Sequence, residues 1–269
     1  MKCLNWTRTW LLCSVIVGAS LLSQQGPATR SVAWAADEGA GTFSGQIVLE
    51  GDIPKLDPAI TVADPARAAD LKACGVESVP NEKLVVDPKS KGIANAFVYL
   101  RKAPAGMPAG LKKSTTPMVK FDQKACQFTP HSLLVRVDQT VEVLSDDPIG
   151  HNTHVTPLKG TEFNSAIRPK DRAGVPVKMK TVENLPTQVK CDIHPWMTAW
   201  WLILDHPYAA VTDKDGKFSI PNLPPGEHDF MVWQESVGYI ERGKVKITID
   251  GKAKPAAKII KVPVANIKL

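Results

Sequence analysis

Short runs rich in valine, isoleucine, threonine and aromatic residues, each cut off by proline, glycine or aspartate, leave this chain little room for anything but β-structure. They fall at 43–49, 95–101, 117–121, 133–137, 140–144, 152–156, 178–183, 187–191, 198–204, 208–212, 217–221, 227–233 and 243–249. Strands at this spacing with turn signals between them suggest sandwiches rather than parallel sheets wound with helices. Residues 213–216 (DKDG) and 224–226 (PPG) read as hairpin turns. Segments 54–64, 104–117 and 169–176 read as loops, and no internal repeat or low-complexity tract stands out. One helix is signalled: Asp64 can cap it, Pro65 suits its first position, and Gly75 can take the left-handed conformation after Cys74.

The 269 residues allow one large domain or two small ones, and 43% hydrophobic with 22% charged residues argues against whole-chain disorder and a polytopic membrane protein. Lys2 and Arg8 precede an apolar run at 10–22 that is short of the roughly 20 residues a membrane span needs. Ala33-Trp34-Ala35 then suits signal peptidase, so residues 1–35 read as a Sec-type signal peptide. The mature chain, starting at Ala36, is expected in the periplasm or outside the cell, with no stable membrane span. The net charge of +6 falls to +3 once the leader's Lys2, Arg8 and Arg30 are set aside, too slight to argue for a nucleic-acid partner.

Export also removes Cys3 and Cys13 and leaves Cys74, Cys126 and Cys191, an odd number. In an oxidising compartment one pair can close a disulfide, and the remaining thiol calls for a reason such as a metal. The sharpest motif is Cys191-Asp192-Ile193-His194-Pro195-Trp196-Met197, on a turn between the runs 187–191 and 198–204. It places a thiolate, an imidazole and a thioether together. Soft sulfur donors with imidazole suit copper, and two His, one Cys and a distant Met form the blue-copper arrangement. A second imidazole is available at Gly150-His151-Asn152.

His151-Asn152 together with Cys-x2-His-x2-Met resembles the cupredoxins: the first is similar to the His-Asn of plastocyanin, the second to the short ligand loop of amicyanin. Phe128-x-Pro130 and the run LLVRVDQTVEVLSDD agree, and the resemblance spans about 112–206. It implies a Greek-key sandwich holding one copper ion that cycles between Cu(I) and Cu(II). His151, Cys191 and His194 would be the strong ligands and Met197 the weak axial one, with Asn152 bracing the Cys loop by hydrogen bonds. Pro195 and Trp196 would place apolar surface beside His194, the expected electron exit and docking point for redox protein partners. His154, facing the other side of its strand, is the competitor to His151 and reads as a non-ligand. An H-x-x-H set with Cys-x-x-H could instead hold zinc, though zinc sites rarely recruit Met. His131, His206 and His228 are assigned no role, and Trp200, Trp201 and Trp233 read as core. Cys74 and Cys126 are then the disulfide candidates, with a second metal site including His131 as the alternative.

The stretch AVTDKDGKFSI followed by LPPG resembles the transthyretin-like carboxypeptidase regulatory domain, whose opening strands look like FSGQIVLEG and IANAFVYL here. The leader, the strand pattern and the resemblances together give an expected all-β chain: a signal peptide at 1–35, an N-terminal β segment at 36–111, a cupredoxin domain at 112–206 and a second sandwich at 207–269. Either the cupredoxin is inserted between two halves of that sandwich or it simply precedes it. Glu227, Asp229 and Glu235 read as solvated strand positions, so the tail offers no catalytic set. An exported single-electron carrier is the leading reading. The alternatives are a copper-binding or storage protein without redox turnover, and an envelope- or carbohydrate-binding sandwich with a vestigial site. An oxidase or nitrite reductase is disfavoured, because one cupredoxin segment offers no separate catalytic cluster.

Overall fold

The computed structural model describes residues 40–251 and 256–269; the leader expected at 1–35 lies outside the described residues. The regular structure of the described chain is almost all strand and forms two sandwiches. In the first, Phe163–Ile167, His151–Val155, Thr187–Lys190, Thr198–Leu204 and Ser132–Arg136 form a five-stranded sheet in that order. A four-stranded sheet of Val175–Val177, Thr140–Val143, Met118–Lys124 and Gln127–Thr129 faces it. Phe121, Phe128, Val141, Val143, Val189 and Trp201 fill the space between them.

The second sandwich draws its strands from both ends of the described chain. Gly41–Glu50 lies between Lys217–Leu223, antiparallel, and Ala256–Pro263, parallel. Opposite stand Ala209–Val211, Phe97–Leu100, Gly226–Gln234 and Gly238–Tyr239, and Val245–Ile249 also pairs with Gly226–Gln234. Phe97–Leu100 and Ala209–Val211 are hydrogen-bonded neighbours, so the chain leaves this sheet, builds the first sandwich, and returns beside its point of departure. Such an insertion suits a compact unit whose two ends lie close together. Gly216 shows how tightly the second sandwich closes: it holds φ +75, and a Cβ there would sit 2.4 Å from the Ile47 carbonyl oxygen.

A dry seam joins the two sandwiches. Along Thr198–Leu204, Ala199, Trp201 and Ile203 enter the first core, while Leu202 and Leu204 meet Phe97, Tyr99 and Met231. Phe97–Leu100 is likewise buried on both faces, with Val98 and Leu100 in the second core. Covering both faces removes the alternation of a half-exposed strand and explains why TAWWLIL and FVYL are continuous apolar runs.

Several expected elements fall differently. The turns at 213–216 and 224–226 form, but the strands they join lie in different sheets, so they are corners of the sandwich rather than hairpins. Segment 178–183 keeps Met179 buried but joins no ladder; Glu183 ends it by accepting the Lys159 and Gly160 N–H groups. Part of the expected loop 169–176 is instead the edge strand Val175–Val177, where Pro176 is tolerated because an edge residue need not donate on both sides. The helix spans Ala68–Ala73, shorter than expected: Arg67 is its N-cap and makes no side-chain capping bond, while Asp64 accepts the Ala66 N–H in the turn that precedes it. Phe163–Ile167 and Ala256–Pro263 are strands that the chain pattern did not reveal.

Trp201 is fully buried and meets Phe121 edge-on at 5.0 Å. Trp201→Ala should lower the unfolding free energy by about 3–5 kcal/mol, measured by urea denaturation; a loss within error of zero would contradict the described core.

Candidate metal centre

The site is assembled by neighbouring strands. His151 opens His151–Val155, which pairs with Thr187–Lys190, so Cys191 emerges beside it at the end of the adjacent strand. Thr187–Lys190 also pairs with Thr198–Leu204, and the link between them folds into a closed turn. Within that turn the Cys191 N–H donates to the Met197 carbonyl at 3.1 Å and the Met197 N–H to the His194 carbonyl at 2.9 Å. His194 is thereby held on the inside, and Met197 is buried in the same core as Cys191.

Asn152 joins the two halves of the site. Its N–H points at Cys191 Sγ at 3.4 Å, its Oδ1 accepts the Asp192 N–H at 2.7 Å, and its Nδ2 donates to Asp192 Oδ2 at 2.9 Å and to Asn164 Oδ1 at 2.8 Å. His154 adds a further tie, bonding Asp192 through Nδ1 at 2.9 Å; it points away from the cluster and supports the loop from outside.

His151, Cys191 and His194 are all at least 98% buried, and their donor atoms lie within 4.8 Å of one another. His151 Nδ1 is 2.9 Å from His194 Nδ1, and Cys191 Sγ is 3.7 Å from His194 Nδ1. Behind the rings stand two carboxylates: Asp147 Oδ2 at 2.9 Å from His151 Nε2, and Asp70 Oδ2 at 3.5 Å from His194 Nε2. A carboxylate behind an imidazole holds the proton on the nitrogen facing it and leaves the other nitrogen as a lone-pair donor. Two such Nδ1 lone pairs facing each other at 2.9 Å in a dry site require a proton or a cation between them. Burial raises the Cys191 thiol, but hydrogen bonds with both imidazoles and from the Asn152 N–H outweigh it and pull the thiol down to about 6. Burial lowers His151, but Asp147 and the Cys191 sulfur lift it to about 8. Convergent imidazole nitrogens and a thiolate are a donor set suited to copper.

Asp147 and Asp70 were not foreseen. Asp147 also accepts the Ala125 and Cys126 N–H groups at 2.6 and 2.9 Å, fixing a turn in which both residues hold a left-handed φ. Its one sequence signal is its place four residues before His151 in the turn SDDP. Cys74 and Cys126 form a disulfide, so they do not contribute to a metal site with His131.

The disulfide holds a cover over the loop. Helix Ala68–Ala73 and the strand pair Ile60–Thr61 with Ser78–Val79 pack Leu71 and Val79 against Cys126 and Trp196. Trp196 Nε1 donates to the Cys126 carbonyl at 3.1 Å, and Arg67 lies 5.7 Å over its ring. His194, the expected electron exit, is therefore only 2% exposed, while Ile193 and Pro195 remain open on the loop.

No family model matches the chain, and no curated protein matches it. Among solved structures it is similar to a purple cupredoxin from Nitrosopumilus maritimus, at 20% identity over 32% of this chain and 98% of that one, with a TM-score of 0.27. A reduced amicyanin variant shares 15% identity over 34% of this chain and 86% of that one, with a TM-score of 0.29. A copper-containing nitrite reductase from Thermus scotoductus shares 18% over 38% of this chain and 25% of that one, also at 0.29. Among the described residues no helix is long and apolar enough to cross a membrane.

Removing the disulfide should loosen the cover without dismantling the sandwiches. Cys74→Ser with Cys126→Ser should cost up to about 4 kcal/mol of stability and speed alkylation of Cys191 in the metal-free protein; an unchanged alkylation rate would mean that the cover does not depend on this bond.

Proposed function

We propose that the protein is an exported single-electron carrier, with copper held by His151, Cys191, His194 and Met197. The observation that carries this reading is the meeting of two carboxylate-backed Nδ1 atoms with a low-pKa thiol in a dry cluster. Copper bound there would supply a Cu(I)/Cu(II) couple. The chain's own contribution is rigidity: Asn152, Asp147 and Asp70 fix the Cys191 loop and both imidazoles, so the donors need not move between the two oxidation states. The sandwich also excludes water, which shapes the potential together with the axial Met197 and the hydrogen bond on the Cys191 sulfur.

On this reading, electrons pass between the cluster and redox protein partners near Trp196, whose ring lies 5.0 Å from the His194 ring, with Pro195 exposed beside it. The second sandwich, read as transthyretin-like, serves as a structural mount in the periplasm or outside the cell. The cover over His194 favours a second reading, a copper-storage protein that does not exchange electrons.

Titration of the purified protein with Cu(II) should produce an intense visible absorption from thiolate-to-copper charge transfer, absent in Cys191→Ser. A protein that binds Cu(II) and stays colourless would sink the carrier reading. Trp196→Lys should slow electron exchange with small redox proteins severalfold while leaving that absorption in place. A coloured protein that exchanges electrons with no partner would favour storage.

A further inference from the structure

Beside the ligand loop lies a cavity of about 310 Å³, one wall of which is formed by Pro195, Trp196 and Met197. His131, Glu82 and Glu235 also line it. None of these three belongs to the copper cluster; from the sequence Glu235 reads as solvated, and His131 as a metal ligand only alongside Cys74 and Cys126, which are instead disulfide-bonded. The His131 side chain is only 3% exposed, and Glu235, expected to be solvated, is 9% exposed.

Glu235 is fixed between two groups. It accepts the Trp200 Nε1–H at 2.9 Å through one oxygen and contacts His131 Nε2 with the other. With Nε2 committed to this carboxylate, the lone pair falls on Nδ1. Buried Nδ1 makes no hydrogen bond, while Glu82 Oε2 stands 3.6 Å away and the Thr198 carbonyl lies against the ring. An imidazole backed by a carboxylate on one side, with a second carboxylate across from its free nitrogen, is the arrangement that orients histidine for a metal ion. Burial opposes protonation of His131, while Glu235, Glu82 and the Thr198 carbonyl together favour it and raise the imidazole; a cation between Nδ1 and Glu82 would take the place of that second proton.

We propose that His131 Nδ1 and the Glu82 carboxylate bind a second cation, a divalent first-row transition ion of the kind that accepts mixed nitrogen and oxygen donors, with Glu235 as the positioning residue. The cavity leaves room for waters to complete the coordination. Because the same cavity is lined by Met197, the second ion would lie alongside the loop that carries Cys191 and His194. This site is independent of the copper reading, since it shares no donor with the first cluster.

Zn(II) provides the test, with metal content measured on the purified protein after equilibration and removal of free ion. Wild type should retain two equivalents, and both His131→Gln and Glu82→Gln should retain one. His151→Ala with Cys191→Ser should also retain one, lost when His131→Gln is added. Glu82 is 30% exposed, so its variant keeps the test valid should the buried His131 substitution fail to fold. Wild-type stoichiometry in a folded Glu82→Gln and His131→Gln, or a single equivalent in wild type that disappears with His151 and Cys191, would overturn the proposal. Failure of the blue absorption with the His131-dependent equivalent intact would count against the copper reading alone.

Discussion

Two imidazoles cannot present lone pairs to each other at 2.9 Å inside a protein unless a proton or a metal lies between them. The described structure is arranged to maintain that unfavourable meeting. Asp147 and Asp70 stand behind the two rings, the Asn152 amide ties the cysteine loop to the neighbouring strand, and the loop's own hydrogen bonds turn His194 inward. A stiff site of this kind suits a function in which the donors stay fixed while charge changes.

Stiffness at the loop depends on what lies beneath it. Thr198–Leu204 leaves the cysteine loop and is clamped on both faces, by the first core on one side and by the seam with the second sandwich on the other. Insertion between two neighbouring strands, Phe97–Leu100 and Ala209–Val211, makes that clamp possible, because both strands contribute residues to the seam. The disulfide extends the same logic to the far side of the loop: it joins the helix that carries Asp70 to the turn whose N–H groups bind Asp147, so one covalent bond secures the supports of both imidazoles.

Much of this was legible in the sequence because it is written in local spacing. Cys191, His194 and Met197 lie within one turn, and Asn152 follows His151 directly. The disulfide followed from counting cysteines once the leader and the cluster were assigned. Asp147, Asp70 and Glu235 were harder to see, since an acidic residue in a turn, on a short helix or at a strand end looks solvated until the fold brings a histidine to it. The DKDG and PPG turns were found because their residues set the backbone angles, but those angles do not say whether the next strand stays in its sheet or crosses to the other. Ala256–Pro263 escaped notice because Lys258 and Lys261 give it the look of a solvated tail, although it pairs along the whole of Phe43–Glu50. The helical cover over His194 escaped because nothing in its own sequence names the surface on which it packs.

The central claim is that His151, Cys191 and His194 together hold one copper ion. X-ray absorption at the copper edge, on protein loaded with one equivalent, tests it most directly. The account predicts a first shell containing one short sulfur scatterer and two imidazole nitrogens, with the sulfur lost in Cys191→Ser. A first shell of nitrogen and oxygen alone in the wild-type protein would contradict it.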